Sequence, residues 1–273
     1  MTTLTTADVL RVVRGARQLG PDATASKGVV ADSRATTPGV AFAAINTGTA
    51  FIADALKGGA SFVITSDASS VPDGSSAVVV DDMQSALMAV ATDVVRRLNP
   101  RVVGVTGSVG KTLTKDLIAA ALKIGYRVRA TPRSFNAEIG VPLTIMGAPD
   151  DVEVLVIEMG ARGVGQIAEL CEIARPHTGA ITTIGTTHLE VFGTREAIAR
   201  TKSELLAALP ADGAAIVPSN DDFLATMVSW TDARAITVGP GGNVRYTATA
   251  ITPDGTTLGT VSIGDVTAEV TLP

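Results

Sequence analysis

The sequence predicts an α/β protein: a small N-terminal α/β domain over residues 1–98, then a larger central domain over residues 99–273. Three observations lead there. From Arg101 onward, apolar runs of strand length alternate with segments of helical periodicity, the pattern of a mostly parallel, doubly wound sheet. A glycine-rich stretch, Gly104–Gly110, joins the first of those runs to the first of those helices. From Val244 the helical pattern stops, and Thr/Val-rich runs separated by Pro253-Asp-Gly255 and Gly264-Asp265 predict antiparallel hairpins.

Taken in order, Thr6 is placed to cap a helix over Asp8–Arg14. Short apolar runs at Val40–Ile45, Ser61–Ile64 and Ala77–Val80 read as strands, and Ile52–Lys57 and Ser85–Leu98 as helices. Asn99-Pro100 marks the domain boundary. In the central domain the strands fall at Val102–Thr106, Val128–Ala130, Val152–Glu158, Gly179–Ile184 and Ala214–Val217. Thr112–Ile124, Gly165–Ala174 and Arg195–Leu209 carry helical spacing.

With 46% hydrophobic and only 3% aromatic residues, the core is built from Ala, Val, Leu and Ile. A net charge of −5 gives no general basic face, which argues against a nucleic-acid partner. Cys171 is the only cysteine, so no intrachain disulfide forms. It shares a helical stripe with Ile167, Leu170 and Ala174 and reads as core filler. No apolar run approaches membrane-spanning length and the N-terminus lacks a signal-peptide core, so a soluble cytoplasmic protein is expected.

Arg101-Val-Val-Gly-Val-Thr-Gly-Ser-Val-Gly-Lys-Thr112 reads as a phosphate-binding loop, making the central domain a P-loop domain. Gly104, Gly107 and Gly110 are expected to let the backbone turn tightly, so that N–H groups and the positive helix end face an anion. Lys111 suits the β- and γ-phosphates, and the Thr112 hydroxyl suits Mg²⁺. The first glycine stands one place earlier than the general spacing, and the bland alternative is a glycine turn beside an exposed lysine. Glu158 ends the run Val152–Glu158, where a Mg²⁺-ligating acid is expected beside a P-loop; the alternative is a strand-end carboxylate facing water. His188 follows the next strand and is either a ligand or a solvated loop residue. His177 has no partner pattern and reads as surface, and Lys202 lies on a helix where lysine is ordinarily solvated.

Five blocks in one order carry a resemblance: Gly104–Lys115, Ser134–Thr144 (SFNAEIGVPLT), Glu158–Arg162 (EMGAR), His188–Gly193 (HLEVFG) and Lys202–Leu205 (KSEL). Together they resemble the Mur ligases, the ATP-dependent amide-forming enzymes of peptidoglycan precursor synthesis. The IGVPLT and EMG blocks look most like the branch that adds D-alanyl-D-alanine to UDP-N-acetylmuramoyl-tripeptide. Asp32-Ser-Arg34, Pro38-Gly39 and Phe42 resemble the start of that branch's N-terminal domain.

The resemblance implies ATP and Mg²⁺ as cofactors, with Gly107, Ser108, Gly110, Lys111, Thr112 and Asn136 at the nucleotide. Thr112 is implied at one Mg²⁺, Glu158 and His188 at a second, and Lys202 there as a carbamylated lysine. Lys111, His188 and Lys202 are the implied catalytic groups, and Ser33 and Arg34 are implied at the UDP-sugar substrate of the N-terminal domain. The implied partners are a UDP-muramoyl peptide and D-alanyl-D-alanine, with no nucleic acid, no membrane and a monomeric protein. Ala137 stands where many relatives carry Asn, Leu113 interrupts the Thr-rich continuation of the loop, and Ile45–Phe51 is shorter than in the family and lacks its Asp-Gly-His segment. The chain stops about where relatives continue into a third domain, so a fragment or truncated homologue is expected, one that folds without ligase turnover. The other readings are a relative acting on a different carboxylate and a non-catalytic nucleotide-binding module.

Overall fold

The computed structural model describes residues 1–187 and 189–272. The chain divides into two compact units, one built from Met1–Val102, Lys115–Glu158 and Glu172–Arg175, the other from Val103–Thr114, Met159–Cys171 and the chain from Pro176 onward.

The first unit begins with β1 (Leu4–Thr5), α1 (Thr6–Val12), β2 (Arg17–Leu19), β3 (Thr24–Ala25), β4 (Val29–Val30), β5 (Ala41–Ala43), α2 (Ile52–Lys57), β6 (Phe62–Thr65), β7 (Ala77–Val79) and α3 (Met83–Leu98). Five of the strands form a sheet in the order β2-β7-β6-β5-β4, parallel except for β2 against β7. Thr5, not Thr6, caps α1, because Thr5 and Asp8 complete a reciprocal capping box; the helix then stops at Val12, two residues short of the expectation. α3 starts at Met83 rather than Ser85, since Asp82 accepts the Ser85 N–H at 2.7 Å. Its buried stripe of Met83, Leu87, Val90 and Val94 has helical spacing, and Asn99 ends it in the left-handed conformation (φ 47°).

The same unit continues through part of α4 (Lys111–Leu122), then β9 (Val128–Ala130), α5 (Gly140–Met146) and β10 (Val154–Glu158), following β8 (Arg101–Thr106) in the chain. β9 and β10 pair in parallel, with Val128 opposite Val154. α5 packs on α3. Thr2 reinforces the connection, its N–H and hydroxyl both donating to the Ala148 carbonyl, at 2.6 and 2.7 Å.

The second unit adds α6 (Gln166–Ala174, in part), β11 (Thr178–Ile181), α7 (Leu189–Phe192), α8 (Arg195–Ala207), β12 (Ala214–Pro218), α9 (Leu224–Val228), β13 (Arg234–Val238), β14 (Val244–Ile251), β15 (Thr257–Ile263) and β16 (Val266–Leu272). Its strands run β8-β11-β12-β13-β14-β15-β16, parallel as far as β14 and antiparallel after it. The expected hairpins are therefore present, closed at the two predicted turns. Ile181, Ile198, Leu206, Val217 and Met227 form the core under α8 and α9.

Gly104 departs from its expected role. It lies within β8, not in the loop, and a Cβ there would sit 2.6 Å from Leu205 Cδ1. Its purpose is close packing of α8 on the sheet. Gly104→Val is therefore expected to cost about 1–3 kcal/mol through overpacking, read as a lower midpoint in thermal unfolding; an unchanged midpoint would contradict this packing.

Candidate functional site in the P-loop and at the end of β10

In the second unit, the loop after β8 turns on two glycines with left-handed backbone, Gly107 (φ 142°) and Gly110 (φ 84°). A Cβ at Gly107 would fall 1.9 Å from Thr182 Oγ1, so no other residue fits. The segment after β11 holds the loop from its other side. The Thr182 hydroxyl donates to the Val109 carbonyl at 2.6 Å, the Ser108 N–H to the Thr183 carbonyl at 2.9 Å, and the Gly185 N–H to Ser108 Oγ at 2.9 Å. Helical bonding in α4 takes up with the Thr114 N–H on the Gly110 carbonyl, and the first-turn N–H groups of a helix have no partner within it. The arrangement is a built anion cradle, with Lys111 and Thr112 opening the helix.

The Lys111 ammonium folds over this loop, donating to the Gly107 carbonyl at 2.8 Å and the Ser108 carbonyl at 3.2 Å. Lys202, on α8, is only 3% exposed, so the ordinary solvated helix lysine is not what the structure holds. Burial lowers its pKa to about 8, and the positive charge of Lys111 pushes the same way while Glu204 opposes both. The two lysines are thus close enough to feel each other. Glu204 is itself buried, accepting the N–H groups of Gly165 and Ala168 at the start of α6, at 2.7 and 3.1 Å.

In the first unit, Glu158 ends β10 at 1% exposure, which rules out a strand-end carboxylate facing water. Its Oε1 accepts from Asn136 Nδ2 at 2.7 Å, and its backbone N–H donates to the Thr131 hydroxyl at 3.0 Å. Its Oε2 is buried and, among the described residues, has no hydrogen-bond partner. A buried carboxylate oxygen left unsatisfied is costly; a divalent cation would satisfy it, so the residue fits the Mg²⁺ role. Asn136 is on the loop before α5, where Gly140 permits the Phe135 backbone to approach; a Cβ at Gly140 would meet the Phe135 carbonyl oxygen at 2.4 Å.

Thus Gly107, Ser108, Gly110, Lys111, Thr112 and Lys202 belong to the second unit, and Asn136 and Glu158 meet in the first. His188 lies outside the described residues. His177 is exposed, as expected, and Cys171 is buried with its sulfur 3.7 Å from Met159 Sδ, as core filler. Arg34 is exposed, clamped to Asp32 through Nε and Nη2 at 2.9 and 2.7 Å; this guanidinium holds the Asp32 carboxyl down at about 2. Ser33 stands beside it on the same 3₁₀ turn. Among the described residues no three His, Cys, Asp or Glu side chains cluster as a metal site, and no helix is long and apolar enough to cross a membrane. Lys115, Thr131, Thr182 and Glu204 are given no role by the sequence expectations; of them Lys115, one helical turn after Lys111 and one before the buried Ala119, carries a periodic signal of burial.

A parallel sheet with a glycine loop feeding a helix from the end of β8 defines a P-loop type α/β protein. The Mur ligase middle domain matches residues 105–273, and the chain belongs to the Mur ligase family of ATP-dependent amide ligases. It is 37% identical to UDP-N-acetylmuramoyl-tripeptide--D-alanyl-D-alanine ligase of Mycobacterium leprae, over 88% of this chain and 53% of that one. The corresponding ligase of Escherichia coli is 33% identical over 82% of this chain and 50% of its own length. The chain spans about half the length of the curated relatives it matches. Among solved structures, MurF from Acinetobacter baumannii superposes with a TM-score of 0.86 at 26% identity, covering all of this chain and 61% of that one. MurF ligase from Thermotoga maritima in complex with ADP gives 0.77 at 30% identity, covering 90% and 58%.

Proposed function

We propose that this chain is the N-terminal and central part of a cytoplasmic, monomeric ligase that adds D-alanyl-D-alanine to UDP-N-acetylmuramoyl-tripeptide. In this reading residues 1–98 hold the UDP-sugar, with Ser33 and Arg34 in contact with it, and residues 99–273 hold ATP. The observation that carries it is Lys202: a buried lysine of lowered basicity beside the charge of the P-loop lysine. Simple phosphate binding has no need of it. A carbamate on Lys202 replaces a repelled cation by an anion that Lys111 attracts, and the neutral amine needed to form one is roughly a quarter of the population at pH 7.5 for a pKa near 8. The 37% identity to the mycobacterial ligase supports the choice of substrates.

The chemistry follows from charge. Lys111 and the loop N–H groups orient the nucleotide phosphates, so that the muramoyl-peptide carboxylate attacks the γ-phosphorus and ADP leaves. The amine then displaces phosphate from the acyl phosphate to give the amide. Mg²⁺, when bound, would neutralise the phosphate oxygens; Thr112 would offer its hydroxyl to one ion, and Glu158, His188 and carbamylated Lys202 would be the ligands of a second. Asn136 holds Glu158 in place through its amide.

The test is amide formation from ATP, UDP-N-acetylmuramoyl-tripeptide and D-alanyl-D-alanine by the full product of the reading frame, followed by mass spectrometry. The expected result is stoichiometric ADP, phosphate and amide. Absence of amide with these substrates, alongside intact ATP binding, would overturn the substrate assignment. One observation favours a second reading, a relative acting on another carboxylate: the short segment Asn46–Phe51 winds into a 3₁₀ turn, with Asn46 left-handed (φ 52°) and Gly48 buried against Phe42.

A further inference from the structure

Lys115 is among the largest fully buried side chains of the molecule, and the chemistry above gives it no task. Its ammonium has three donors and three acceptors: the Thr131 carbonyl at 2.7 Å, the Arg133 carbonyl at 3.2 Å and Asp116 Oδ1 at 2.7 Å. A charge this deep is retained only where its hydrogen bonds are all made. Two of those bonds go to the segment leaving β9. Arg133 there is left-handed (φ 51°), a conformation that a residue with a Cβ keeps only when its surroundings enforce it. The same segment anchors Glu158 twice, through the Thr131 hydroxyl on its N–H and through Asn136 on its Oε1.

We propose that Lys115 is a positioning residue: by gripping the Thr131 and Arg133 carbonyls it fixes the turn that sets Asn136 against Glu158, and so leaves Glu158 Oε2 aimed and free for a divalent cation. The inference rests on the cation reading of Glu158 given above. Outer partners of a metal ligand typically change metal affinity by about 10- to 100-fold when removed. Lys115→Met leaves two carbonyls without their donor, lets the turn relax, and allows Asn136 to drift from the carboxylate.

The experiment is Mn²⁺ binding in the presence of ADP, followed by electron paramagnetic resonance, on wild type, Lys115→Met, Asn136→Ala, their double variant and Glu158→Gln. Amide hydrogen exchange over residues 131–139 is recorded in parallel. Glu158→Gln and Lys115→Met should each weaken Mn²⁺ by about tenfold or more. The double variant should be no worse than Asn136→Ala alone, because Lys115 acts through that side chain. Exchange at Phe135 and Asn136 should rise selectively in the lysine variant. If Glu158→Gln weakens Mn²⁺ and Lys115→Met stays within twofold of wild type, the inference is overturned while the cation reading stands. If Glu158→Gln binds as wild type, the cation reading itself fails and the inference falls with it. Should Lys115→Met not fold, Lys115→Gln, which keeps a donor but no charge, carries the same comparison; unchanged exchange over the turn in that variant also overturns the proposal.

Discussion

Replacing Lys111 with alanine is expected to weaken Mg²⁺·ATP binding by roughly 10- to 100-fold, the range for losing charged hydrogen bonds to an anion. The Lys111 ammonium already lies over the loop on the Gly107 and Ser108 carbonyls, so it meets the phosphates without a large excursion. The two loop glycines and Thr182 hold the cradle independently of it, so the variant should keep its thermal midpoint while losing ligand. Isothermal titration settles the matter: equal affinity in wild type and Lys111→Ala would remove the loop's assignment as the nucleotide site.

The second large effect concerns Lys202 and has a sign that depends on pH. Its pKa of about 8 in the folded chain lies below the 10.5 of an unfolded lysine. Below pH 8 the amine is protonated in both states, and the folded state carries the full cost of a buried cation, on the order of 3 kcal/mol. That cost fades between pH 8 and pH 10.5, where the folded chain has released its proton and the unfolded chain has not. Lys202→Met should therefore be more stable than wild type at pH 7, with the difference closing as pH approaches 10.5. Bicarbonate should raise wild-type stability at pH 7.5 if a carbamate forms, and leave the methionine variant unmoved. A difference in denaturant midpoint that stays constant from pH 7 to pH 10 would refute both the shift and its cause. In the full product of the reading frame the same substitution is expected to abolish ligase turnover.

Much of this architecture could be read from residue order because its signals are local. α2 falls on its expected residues, and β9 likewise, while α4 and α8 begin within a residue of expectation because a glycine turn and a threonine cap announce them. What escaped has physical reasons. β2, β3 and β4 are too short to show a period of two. α5 begins at a glycine and carries Pro142 in its first turn, so its seven residues look like loop until the Phe135 backbone packs against them. The burial of Lys202 was written in its spacing: Ile198, Lys202, Leu205 and Leu206 recur at helical intervals, and the lysine occupies the apolar face. Burial of Glu158 without a partner for one oxygen is a property of packing, and no spacing reveals it.

The compact units are interleaved along the chain. The polypeptide leaves the first at Val102, returns at Lys115 in the middle of α4, departs again after Glu158, comes back for Glu172–Arg175 and then stays with the second. Neither unit can be completed during synthesis before residues far downstream have emerged: the first includes Glu172–Arg175, and in the second β8 pairs with β11, Val103 standing opposite Thr178. Closing such separated contacts is slow, and until it happens the Val-rich strands wait with open edges. A nascent chain of this design is expected to gain from shelter while it is being made.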